Sequence, residues 1–137
     1  MELNRDIAKK VLDTVDAGLC TGLGKPMLGE MCVEAAVCFA LGLPHGDNHP
    51  CVGEAVRAYK IILNDANWTS PQTRAFGMRR VAIAQLGSNE IDQIAFVKYV
   101  AEQTIRRILP IALITVSNLI PNHKQALEKV ASRCANE

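Results

Sequence analysis

The chain has 137 residues, 49% of them apolar and 21% charged, with a formal net charge of +1. That length suits a single domain, and so small a charge excludes a surface built throughout for nucleic acid, which needs an excess of lysine and arginine. Aromatic residues make up only 4%, so Ala, Leu, Ile, Val and Met must fill the core, and the strong helix formers among them point to an all-α fold.

The first helix is marked by Leu3, Ile7, Val11, Leu12 and Val15 at helical spacing, and it should end before Gly18. Its opening, MELNRDIAKK, has acidic residues and no apolar h-region, so no secretory signal is expected there. Residues 18–29 hold four glycines and Pro26 and read as a loop. A second helix is predicted over 29–42, stopped by Gly42; it is apolar on nearly all sides and therefore central to the bundle. After a loop carrying His45, Asp47 and His49, Pro50 and Cys51 should open a third helix running to Asn64, with Val52, Val56, Tyr59 and Leu63 as its apolar stripe.

Ser70 or Thr69 before Pro71 is a hydroxyl cap followed by a first-turn proline, so a fourth helix should run from there to Leu86 and stop at Gly87. Ser88 or Asn89 can cap a long fifth helix from Glu90, which Pro110 should kink or split. A last amphipathic helix is expected over 121–134. The longest apolar run, 108–120, is too short for the roughly 20 residues of a membrane span and reads as a buried helix. No stretch alternates like a strand. The expectation is a single all-α domain over 1–137, a compact bundle of six to seven helices around the central apolar helix near 30–42.

Reactive side chains concentrate in MCVEAAVCFALGLPHGDNHPC, residues 31–51. His45, His49 and Cys51 are of zinc-ligand type, but one short loop would have to supply most of the ligands, so the prolines at 44 and 50 more simply stiffen a connection. Cys32 and Cys51 fall near predicted helix starts, where the macrodipole and free amides favour thiolate, and His45 or His49 could complete a Cys–His pair. The competing reading is burial as small apolar residues. An odd count of five cysteines likewise fits free thiols in a reducing, cytoplasmic setting. Glu34, alone among apolar neighbours, needs a cation or hydrogen bonds, and the expected partner is an arginine, drawn from 57, 74, 79, 80, 106 or 107. Asp65 and Trp68 sit in the polar turn NDANWT, where Trp68 would anchor a partner if exposed. Arg79 and Arg80 offer one outward guanidinium for an anionic group.

The segments MCVEAAVCFALGLP, VRAYKIILNDANWTS and RAFGMRRVAIAQLG resemble a group of small proteins from bacteria and their phages to which no activity is assigned. The likeness lies in a C-x-x-x-A helix, a helix ending in an N-D turn, and a Ser/Thr-started helix after it. It covers about half of the chain, implies an all-helical fold, and transfers no catalytic residue. Small chains of such origin are often binding or inhibitory proteins, which holds here by analogy alone.

Two functions follow as expectations. The first is a small helical protein-binding module, an inhibitor or regulator that forms a homo-oligomer, with Asp65, Trp68, Arg79 and Arg80 as binding residues and no cofactor, metal or membrane. The alternative is an enzyme or small-molecule binder with a pocket near Glu34, His45, His49 and Asp65, for which Cys32 and Cys51 are further catalytic candidates.

Overall fold

The structure, a computed structural model, describes residues 4–136. Among them it is all-helical: α1 Arg5–Asp16, α2 Val33–Ala40, α3 Glu54–Asn64, α4 Pro71–Ala84, α5 Gln93–Gln103, α6 Leu109–Leu119 and α7 Lys124–Asn136. No helix among the described residues is long and apolar enough to cross a membrane. Contacts gather into two compact units, Met1–Gln93 and Ile94–Glu137.

In the first unit, the caps begin with Asn4, whose side chain accepts from the amides of Asp6 and Ile7 at 3.1 and 3.0 Å and starts α1. Leu3, assigned above to the α1 stripe, lies outside the described residues. The glycine-rich loop is more ordered than its composition implies. Cys20 donates its amide to Met31 O at 2.9 Å, Lys25 to Glu30 O at 2.8 Å, and Gly24 and Met31 form an antiparallel bridge. Gly24, at φ +72, permits this because a Cβ there would collide with the Glu30 carbonyl. The bridge takes up Met31, so α2 starts at Val33, four residues later than the periodicity suggests, with Cys32 as its extended N-cap.

Residues Val33 to Cys38 of α2 are all buried. Around them pack Val11 and Val15 of α1, Leu19, Met31, and Ala75, Met78 and Ala82 of α4. This is the expected central helix. Ser70 and Thr73 close a capping box with Pro71 behind the cap, as the Ser-Pro signal requires. Gly42 and Gly87 take positive φ where stops were expected.

Two further elements differ from the sequence reading. Ser88 does not cap α5: its hydroxyl accepts from Gly53 N at 3.0 Å, and 88–90 is a 3-10 turn, so α5 begins at Gln93. α3 opens at Glu54 behind its N-cap Gly53, not at Pro50 and Cys51, which lie in a turn, and its buried face is Val56, Lys60 and Asn64 rather than the stripe through Tyr59.

In the second unit, α5 continues through a π-helical turn, Thr104–Ile108, into α6, and α7 packs back against both the turn and α6. The long helix is divided just before Pro110, which stands in the first turn of α6. The wider turn just before it loosens the ladder where the proline ring would crowd the previous turn and where its missing N–H leaves a carbonyl free.

Candidate functional site

Glu34 lies in the first turn of α2, a position the helix dipole favours for an acid, yet its side chain is fully buried. Two basic side chains of sequence-distant origin meet it there. Lys60, from the inward row of α3, places Nζ 2.5 Å from Glu34 Oε1. His49 Nε2 donates to Oε2 at 2.7 Å, brought inward by the turn in which Val52 N bonds His49 O at 3.2 Å. Neither partner side chain has any exposure.

Burial pulls the Lys60 ammonium below its ordinary value; Glu34 opposes this without cancelling it. The two carboxylate oxygens are thus each committed to a different base. His49 Nδ1 has no hydrogen-bond partner among the described residues.

Beside the cluster, Asn64 ties four segments together. Its Oδ1 accepts from Val33 N at 3.1 Å, satisfying one of the free amides that start α2. Its Nδ2 donates to Cys20 O at 2.9 Å and to Asp65 Oδ1 at 2.8 Å, while Gly22 N donates to the same Asp65 oxygen at 2.9 Å. Arg74 locks the assembly from α4, donating to Asn64 O at 2.8 Å and to Leu19 O at 2.9 Å.

Above Glu34 opens a cleft of about 160 Å³, walled by Gly22, Leu23, Cys32, Glu34, Asn64 and Asp65, with Val33, Ile61 and Asp47 completing it. Three acidic residues are among its lining residues, the buried Glu34 and the partly exposed Asp47 and Asp65, and no lysine or arginine is. Asp47 is in loose contact with Arg57, 3.7 Å away, and both are partly exposed. The Cys32 sulfur accepts from Ala35 N at 3.3 Å, the helix-start geometry that favours thiolate. Burial nevertheless raises the Cys32 thiol above its ordinary value, outweighing the two amides that lower it. Cys38 is pushed further, to about 11, by burial first and by Glu34 second.

The structure therefore gathers some of the sequence candidates and separates others. Glu34 and Asp65 share the cleft, and His49 stands behind Glu34. His45 turns away, its Nε2 3.2 Å from Gly24 O on the exposed side. Cys51 is half-buried, with its carbonyl accepting from Gly87 N. Among the described residues, no three of His, Cys, Asp and Glu stand where they could hold a metal ion.

The partner of Glu34 is not an arginine. Arg74 serves backbone carbonyls, and Arg79 pairs with Asp16 at 2.9 Å on the surface, beside an exposed Arg80. Trp68 is half-buried, donates to Leu63 O at 2.9 Å, and lays its ring on α4 at Gly77, where a Cβ would strike it. Lys60 escaped sequence reasoning because a lysine in a helix is read as outward; its signal is the four-residue spacing from Val56 to Lys60 to Asn64. No family model matches the chain, and no curated protein or solved structure matches it.

Proposed function

We propose that the protein is a small helical binding module whose cleft over Glu34 receives a compact cationic group, an ammonium or guanidinium. The observation that carries this reading is the lining itself: Asp47 and Asp65 stand in the wall of a narrow opening, with the paired Glu34 buried beneath it, and no lysine or arginine is among its lining residues. At about 160 Å³ the cleft falls well below the ~300–1,000 Å³ of a typical ligand pocket, so it suits a single headgroup. The group can come from a free small amine or from the basic side chain of a partner protein.

Binding is favoured over catalysis because Glu34 has both oxygens engaged, by Lys60 and by His49, and burial raises the Cys32 thiol instead of activating it. Calorimetric titration with n-butylammonium, methylguanidinium and short lysine- or arginine-containing peptides tests it. Saturable binding is expected, weakened several-fold by Asp65→Asn or Asp47→Asn. Preference for the peptides would identify a protein partner, and preference for the free amines a small-molecule ligand. Absence of saturation with all of these probes would refute the proposal.

A further inference from the structure

We infer that the hairpin of α5, α6 and α7 is the interface between two copies of this chain. The second unit has almost no interior of its own. Among its described residues only Pro110, Ser117 and Ala131 are buried, none of them a large apolar side chain. Its large apolar residues face outward instead: Leu119 is 76% exposed, Ile94 68%, Ile111 65% and Ile108 60%. At 100° per residue, Ile111, Ile114, Val116 and Leu119 spread over somewhat more than half the circumference of α6, with Ile108 in the turn before it, and so wide an apolar face belongs inside an assembly.

Size supports the same conclusion. Half-open side chains of this kind expose on the order of 100 Å² each, so the face reaches on the order of 1,000 Å², above the ~800 Å² each partner contributes to a standard interface. Between α5 and α7 runs a groove of about 620 Å³ floored by Ala101, Ile105 and Val130, deep enough to take side chains from outside.

The occupant is a second copy for reasons of charge and permanence. From Ile108 to Ile120 the chain carries no charged residue, so two such faces can meet without repulsion and offer nothing that would select a charged partner. A face this apolar resembles a core cut in half, which is the character of obligate interfaces between like chains. Two helical hairpins related by a twofold axis close into a bundle and leave no further apolar face to propagate.

Residues 94–137 hold six Lys and Arg against three Glu, a surplus of three positive charges per hairpin. Self-association therefore brings like net charges together and should tighten as salt screens them. An acidic partner seated on the groove, whose rim carries Lys98, Arg106 and Arg133, would show the opposite dependence.

Sedimentation velocity of the full chain tests this from about 1 to about 100 µM protein and from about 50 to about 500 mM salt. The expected result is a mass of two chains, with a dissociation constant that falls as salt rises. Ile111→Glu with Leu119→Glu should shift the protein to one chain while leaving Trp68 fluorescence unchanged; Ile62→Glu, 71% exposed on α3, should leave the dimer intact. A single-chain mass at all concentrations, a dimer indifferent to the α6 pair of substitutions, equal dissociation by Ile62→Glu, or association weakened by salt would each overturn the inference.

Discussion

Replacing Lys60 by methionine removes one base from Glu34 while keeping nearly the same volume and aliphatic stem. Glu34 then remains a fully buried carboxylate with His49 alone for a partner. Breaking a buried pair from one side costs about 3–5 kcal/mol, because the surviving charge keeps its desolvation penalty and loses its compensation. Set against the ~5–15 kcal/mol that stabilises a typical domain, this is a large share. Glu34→Gln should cost a comparable amount by stranding the Lys60 ammonium, already disfavoured by burial.

The double variant removes both charges and leaves an amide oxygen to accept from His49. It should lie within about 2 kcal/mol of the wild type, far less than the sum of the single losses. Urea unfolding followed by Trp68 fluorescence reads this directly, since the only tryptophan donates to Leu63 O less than one helical turn beyond Lys60. Single losses below about 1 kcal/mol, or losses that simply add in the double variant, would refute the account of a sealed, mutually dependent pair.

Alkaline pH and one glycine provide two further tests. The Cys38 thiol, raised from 9.0 to about 11, keeps its proton in the folded chain where the unfolded chain loses it, so its contribution to stability is complete below pH 9 and disappears as pH climbs through 11. The loss is about 2–3 kcal/mol, at ~1.4 kcal/mol per pKa unit. Lys60 acts in the opposite sense, so the thiol's share is the difference in pH profile between wild type and Cys38→Ala; identical profiles would show that the thiol is not shielded. Gly77→Ala should destabilise by about 1–2 kcal/mol even though alanine is the better helix former, because its methyl would enter the space of the Trp68 ring. Gain of stability in a thermal melt would mean that the ring yields freely.

The parts of this fold that could be read from sequence are those governed by local chemistry. Ser70 before Pro71 announces its capping box, and Gly42 and Gly87 mark stops because only glycine enters the left-handed region cheaply. Glu34 stood out as an acid stranded among apolar residues. What answers it could not be read, because Lys60 and His49 are brought to it by tertiary packing, and a lysine facing inward violates the pattern by which helix faces are assigned. The loop around His45 and His49 looked like one cluster; a single turn at 49–52 sends one ring into the core and leaves the other outside. The late start of α2 was hidden for a similar reason, since the Gly24–Met31 bridge is a pairing between residues seven apart.

The π-helical turn at Thr104–Ile108 gives the second unit an unusual tolerance. Such a turn stores one residue beyond what a regular ladder of the same rise requires. Removal of a single residue within 104–108 can be absorbed by relaxing to ordinary α geometry upstream of Pro110. The same deletion in α1 or α4 would swing every later side chain on that helix by about 100° and carry core residues into solvent. Natural or engineered one-residue length variation in this chain therefore has a place where it can accumulate without scrambling what lies on either side.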